Sequence, residues 1–203
     1  MEKKIKRLLG NLSNNKIKAK YFTTKEEAKK EILQEINPQM KIGIGGSMTI
    51  KEMEIYEAID QSKNPVYWHW MVKPEERSAV FPKAQYSDLY LASSNALTEE
   101  GELINIDGVG NRVSSMFFGP KKVILICGVN KIVKNYEEGI KRIKEIACPL
   151  NAKRLGLKTP CGVNGKCFDC RSDQRMCNIT VRIHAKPALV DLEVYIIDEK
   201  LGY

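Results

Sequence analysis

The sequence predicts an α/β fold with a mostly parallel sheet and an antiparallel hairpin added to it. Three observations carry this reading. Short apolar runs alternate with amphipathic helical stretches, the order that produces parallel strands joined by crossover helices. The run KKVILIC, residues 121–127, is the strongest buried strand in the chain. The stretch Ala96 to Asp107 reads as two short strands about Glu100-Gly101, a hairpin signal.

Each element follows from local chemistry. Ile5, Leu8, Leu9 and Leu12 recur at helical spacing, so the segment 1–20 is expected to hold an amphipathic helix with a lysine-rich outer face. Thr24 with Glu27 is a capping box, opening a helix through Ala28, Ile32, Leu33 and Ile36 that Asn37-Pro38 stops. Lys41 to Ile44 reads as a buried strand. Gly43, Gly45, Gly46 and Ser47 turn the chain into a helix from Thr49 to Ile59. Val66 to Val72 and Leu89 to Ala92 read as strands, with a short proline-opened helix, Pro74 to Phe81, between them. Beyond the hairpin, Asn111 to Phe118 is read as a helix that Pro120 ends. After KKVILIC come a helix from Tyr136 to Ala147 and two closing strands, Ile179 to His184 and Leu192 to Asp198.

Composition narrows the function classes. With 203 residues, 43% apolar and 29% charged, the whole chain, 1–203, is expected to be one domain. The net charge of +8 raises a nucleic-acid hypothesis, but the lysines are dispersed and no basic stripe is interleaved with aromatics, so nucleic acid is not expected as a partner. The first residues lack a signal-peptide core and no segment has the apolar length of a membrane span, so a cytoplasmic protein is expected.

The turn Gly-Ile-Gly-Gly-Ser joins a strand to a helix, where backbone N–H groups can converge on an anion and the Ser47 or Thr49 hydroxyl can add a donor. It is neither a dinucleotide fingerprint nor a P-loop, so no nucleotide cofactor is indicated. A structural need for a tight turn explains the glycines equally well. Asn95, Thr98, Glu102, Asn105, Asp107, Asn111 and Arg112 fall within eighteen positions, denser in polar groups than a hairpin requires. Arg112 at a helix start is placed to clamp a carboxylate or phosphate by two parallel hydrogen bonds. Glu102 or Asp107 is the candidate to move a proton.

Four of the six cysteines, Cys161, Cys167, Cys170 and Cys177, stand in the spacing C-x5-C-x2-C-x6-C within a loop at 161–177, ahead of the last strands. In a reducing compartment such a cluster points to metal ligands more than to disulfides. Four thiolates suit an iron-sulfur cluster or tetrahedral zinc, and the spacing leaves that choice open. Cys127 reads as a small buried hydrophobe and His69 as a half-buried histidine. His184, seven residues after Cys177, is a spare ligand candidate.

The segments GGSMTIKEM, SSNALTEEGELINIDGVGNRVSSMFFGPKKVILICGVNKIV, ACPLNAKRL and EKLGY resemble the LUD domain family, the lactate-utilisation proteins. The resemblance implies a Rossmann-like three-layer sandwich similar to ribose-5-phosphate isomerase and the CoA transferases. It also implies an anion role for Gly45, Gly46, Ser47 and Thr49, with Glu102, Asp107, Arg112 and Lys131 facing the same crevice. The expected ligand is a small anionic metabolite: a hydroxycarboxylate, a sugar phosphate or a CoA-linked acid. Asn95 and Asn111 join the binding set, and catalysis itself stays open. The alternative is a non-enzymatic subunit whose structural or electron-relay metal cluster docks on a redox partner protein. A homo-oligomer is compatible with either.

Overall fold

The computed structural model describes residues 2–203. α1 (Glu2–Asn14) buries Ile5, Leu8 and Leu12 along one side, as their spacing requires. β1 (Lys18–Phe22) follows, and α2 (Lys25–Gln34) opens on the expected capping box, with Glu27 N–H donating to Thr24 Oγ1 at 3.2 Å. β2 (Ile42–Ile44) leads to α3 (Met48–Glu52) and α4 (Ile55–Ala58). The single helix expected here is broken at Glu54, which takes a left-handed φ of 51° without any glycine or proline to announce it.

β3 (Val66–Trp68) ends before the expected Val72, and a 3-10 turn at Pro74–Glu76 precedes α5 (Arg77–Gln85). β4 (Leu89–Ala92), β5 (Ala96–Thr98), β6 (Leu103–Asp107) and the single turn α6 (Asn111–Ser114) follow. β7 (Lys122–Gly128) passes through a 3-10 turn, Val129–Lys131, into β8 (Ile132–Val133). α7 (Tyr136–Arg142) continues through a π-helical turn, Ile143–Ala147, into α8 (Cys148–Arg154), so Pro149 sits inside the first turn of a helical segment instead of after a helix. α9 (Pro160–Asn164), β9 (Ile179–Ile183) and β10 (Asp191–Ile197) complete the order.

Six strands form one sheet in the order β1-β10-β7-β4-β2-β3, every pair parallel. A parallel sheet needs cover on both faces, and the residues of β7 show the alternation that achieves it. Val123, Leu125 and Cys127 join the cluster containing Leu8 and Leu12, while Ile124 and Ile126 join the one containing Ala28 and Ile32. Cys127 is thus the buried hydrophobe the sequence predicts.

A smaller mixed sheet, β8-β5-β6-β9, holds the hairpin. Leu97 and Leu103 face the first cluster, whereas Ala96 and Ile104 pack with Ile143, Ala147 and Cys148. The result is a Rossmann-like sandwich with a second layer of sheet on one face.

Adjacent strands β2, β4 and β7 run in parallel, so the segments leaving their carboxyl ends lie side by side. Those segments are Gly45–Ser47, Ser93–Asn95 and Val129–Lys131. The last two are three-residue links carrying the chain from the large sheet directly into β5 and β8, which also pair in parallel.

Candidate functional site

The site opens at the carboxyl ends of these strands, where parallel α/β sheets leave a crevice between diverging connections. A cavity of about 480 Å³ lies there, lined by Gly46, Ser47, Ser93, Asn95, Asp107 and Arg112, and also by Asn111 and Lys131. The turn after β2, the β4–β5 link, the end of the hairpin and the β7–β8 link therefore meet at one place. A metabolite-sized ligand fits a space of this size.

Arg112 holds the polar wall together. Its Nη1 donates to Ser93 O at 3.0 Å and Asn105 Oδ1 at 2.8 Å, and its Nη2 donates to Asn95 Oδ1 at 3.0 Å and Ile106 O at 2.9 Å. Nε pairs with Asp107 Oδ2 at 3.2 Å. A guanidinium has five N–H donors; the four on the terminal nitrogens are all taken, and the fifth, on Nε, faces the Asp107 carboxylate as an ion pair. Arg112 therefore offers a bound anion its charge but no free pair of N–H groups, which corrects the expected two-bond clamp. Asn95 Oδ1 is fixed by a second donor, Ile106 N at 3.0 Å, and its Nδ2 hydrogen-bonds to no other described residue. Asp107 is also committed, since Oδ1 accepts from Gly110 N at 2.7 Å and Val109 N at 3.2 Å.

Lys131 is 3% exposed, and its Nζ lies 2.8 Å from both Thr49 Oγ1 and Ser93 Oγ. No carboxylate pairs with it among the described residues. Burial pushes its amine down to about 8, against a partial offset from Cys127, with Arg142 and Arg112 pushing the same way as burial.

Two residues of the expected set stand behind the cavity lining. Gly45 N donates to Leu91 O at 2.9 Å, and a side chain at Gly45 would meet Tyr90 Oη at 2.7 Å and Arg112 Cγ at 3.0 Å. Its lack of a Cβ serves packing. Thr49 is buried and reaches the cavity only through Lys131. Ser47 caps α3 by accepting from Ile50 N at 3.2 Å, and that helix is a mere five residues long, too short for much of a dipole.

Glu102 is not brought to the cavity. It precedes β6 whereas Asp107 ends it, and five residues of extended strand separate the two by about 16 Å. Glu102 instead receives Arg182 through Nε at 3.0 Å and Nη2 at 2.8 Å, and pairs with His184 Nδ1 at 2.7 Å. Burial would raise its carboxyl, but these hydrogen bonds outweigh burial and hold it below the usual range. His184 is thereby engaged away from the cysteines.

Cys161, Cys167, Cys170 and Cys177 do converge: with Cys148 they line one small cavity, which shares Cys148 and Met176 with the crevice. Arg175 braces the loop, donating from Nη1 to Cys170 O at 2.6 Å and from Nε to Cys177 O at 3.1 Å. All six cysteines are free. Among the described residues no three His, Cys, Asp or Glu side chains close into a metal-holding group.

A family model described as the LUD domain matches residues 5–197, nearly the whole chain. The chain belongs to the LUD-domain family. This membership supports a lactate-utilisation-like protein. The LUD fold is also seen in the crystal structure of a DUF162 family protein from Deinococcus radiodurans, which is 11% identical with a TM-score of 0.55 over 97% of each chain. No curated protein matches the chain. No helix among the described residues is long and apolar enough to cross a membrane.

In this LUD domain several cavity residues escaped the sequence reading. Lys51, His69, Arg77, Asn151, Arg154 and Tyr203 all line the crevice. Arg77 Nε is buried with no hydrogen-bond partner, and Arg154 stacks over the Trp70 ring at 4.5 Å. Burial, reinforced by the positive charge of Arg77, pushes the His69 imidazole down to about 4, so it is neutral at physiological pH. A signal for part of this set existed: Ala147, Cys148, Asn151, Arg154 and Leu155 recur at helical spacing and form one cavity-facing stripe.

Proposed function

We propose that the crevice binds a small anionic metabolite, a hydroxycarboxylate or related acid or phosphate, within the acid metabolism of a lactate-utilisation-like protein of the cytoplasm. One observation carries the reading. Five cationic side chains, Lys51, Arg77, Arg112, Lys131 and Arg154, line the cavity against a single carboxylate, Asp107, which Arg112 already pairs. Walls of one sign raise the local concentration of an oppositely charged ligand. Asn95 Nδ2, the Asn111 amide and the Ser47 hydroxyl supply polar donors that orient it. Asp107 stays the carboxylate of the site, with both oxygens engaged in the free protein, so a proton-moving role falls to it only if the ligand displaces a donor.

Calorimetric titration of hydroxycarboxylates, sugar phosphates and acyl-CoA compounds tests this. Arg77→Gln removes one charge and one unpaired donor, and a lost charge-assisted hydrogen bond of about 1.5 to 3 kcal/mol weakens binding at least about tenfold. Affinity should also fall as salt rises. A neutral amide or ester analogue that binds as tightly as the acid would sink the reading.

The four clustered thiols, five with Cys148, favour a second element: a soft-metal site, iron-sulfur or zinc, held by Cys161, Cys167, Cys170 and Cys177. Such a group supplies electron transfer if it is iron-sulfur and structural bracing if it is zinc, and either version gives a docking face to a redox partner or to a second copy of the chain. Anaerobically purified protein is expected to hold stoichiometric metal, which Cys167→Ser or Cys170→Ser removes and Cys127→Ser leaves in place. Full metal content in the Cys167 and Cys170 variants rules the site out.

A further inference from the structure

The crevice has more cationic charge than holding an acid requires, and one of its five cations is built differently from the rest. Lys51 and Arg154 are exposed and Arg77 half-buried, all near the mouth. Arg112 is neutralised in part by Asp107, and its two terminal nitrogens have no free donor. Lys131 alone is a buried amine with neither a carboxylate partner nor a full set of hydrogen bonds.

Its two partners fix its geometry. Thr49 Oγ1 donates its proton to Leu201 O at 3.3 Å, and Ser93 Oγ donates its proton to Ser94 O at 3.3 Å. With the hydroxyl protons on those carbonyls, both oxygens accept from Lys131, at 2.8 Å each. Two of the three non-carbon positions on Nζ are used as N–H donors. The third is unpartnered: an N–H bond in the ammonium form and a lone pair in the amine. A neutral amine satisfies this environment completely, with its lone pair as the one free feature. The tip of a residue that lines the cavity carries it.

We infer that Lys131 is a nucleophilic amine that condenses with the carbonyl group of an anionic oxo compound, most simply a 2-oxo acid. This rests on the anion crevice proposed above and names its substrate class. The lone pair of Nζ attacks the carbonyl carbon, and the carbonyl electron pair moves onto oxygen, which takes a proton to give a carbinolamine. The nitrogen then loses a proton, a C=N bond forms, and the protonated hydroxyl leaves as water. Amine plus carbonyl gives imine plus water, with no oxidant or reductant consumed. Arg77 and Arg154 at the mouth hold the carboxylate, so the lysine is not needed as its counter-ion. A lysine desolvated beside other cations is the standard way a protein keeps an amine nucleophilic near neutral pH. An amine pushed down to about 8 also holds roughly two orders of magnitude more free base at neutral pH than an ordinary lysine.

Reductive trapping of the full chain tests this. The protein is incubated separately with pyruvate, 2-oxoglutarate and glyoxylate in the presence of sodium cyanoborohydride, then weighed intact and mapped by peptide mass spectrometry. The expected result is one reduced adduct per chain on the peptide carrying Lys131, formed at least about tenfold faster than on surface lysines. Lactate, which has no carbonyl, should give none and should slow the reaction by competition. Lys131→Arg keeps the charge and should lose the adduct, whereas Glu102→Gln, away from the cavity, should keep it. The wild-type map does not depend on either variant folding. If calorimetry shows an oxo acid bound in the crevice yet labelling is absent or spread over surface lysines, the amine is a counter-ion only and this inference is wrong while the crevice stands. If neither hydroxy nor oxo acids bind, both fall together.

Discussion

Arg112→Met is expected to destabilise the domain by about 3 to 5 kcal/mol, because it breaks a buried ion pair and strips a donor from each of four further acceptors. The substitution leaves the Asp107 carboxylate without its counter-ion and takes one donor each from the Asn95 and Asn105 amide oxygens, which keep only Ile106 N and Asn95 N respectively, and from the carbonyls of Ser93 and Ile106. Methionine fills the volume, so the loss is in hydrogen bonding and not in a cavity. Arg112→Lys should rescue little, since a point charge with three donors cannot replace a planar fork with five. Urea unfolding measures both. A loss below about 1 kcal/mol for Arg112→Met would show that the β4–β5 link and the end of β6 hold their shape without the guanidinium.

Lys131→Met is expected to have the opposite sign, raising stability at pH 7 by about 1 to 3 kcal/mol while abolishing ligand capture. The amine is pushed from 10.5 to about 8 by burial, so the folded chain binds fewer protons than the unfolded chain between those values. Stability therefore rises with pH across that window, and the cost of the buried charge is present in full below about 8. Methionine carries no such cost. The gain should be greatest at neutral pH and narrow toward pH 10, less the two hydrogen bonds to Thr49 and Ser93. Urea midpoints at pH 7 and 10 decide the matter. A variant less stable than wild type at pH 7 would mean that the lysine is held by more than those two hydroxyls.

Much of this was legible because the large sheet is parallel and covered on both faces. Its inner strands read as unbroken apolar runs, and β2, β4, β7 and β10 fall where hydrophobicity places them. β1 did not, because it is an edge strand of alternating lysines, KAKYF, half-buried at most, and its only sheet neighbour is β10. The break at Glu54 carries no residue signal, and α9 hid in a segment whose Thr159-Pro160 start was overshadowed by the cysteines.

Polar density between Asn95 and Arg112 located the crevice, since those residues sit in two short segments that the hairpin folds back on each other. It could not distinguish one end of β6 from the other, which is why Glu102 and Asp107 looked equivalent. His69, Arg77 and Arg154 join the site only through the order of strands and the turn of α8, information that no local window contains.

The paired three-residue links after β4 and β7 have a mechanical meaning. Two neighbouring short joints between the same two sheets leave little slack for one sheet to slide on the other at that edge. Ser93, Asn95 and Lys131 belong to those joints, while Arg154 rides on α8 and Arg77 on α5, away from them. The amine and its hydroxyl partners thus stand where the two sheets are most tightly tied, and the charged rim stands on helices outside the tie.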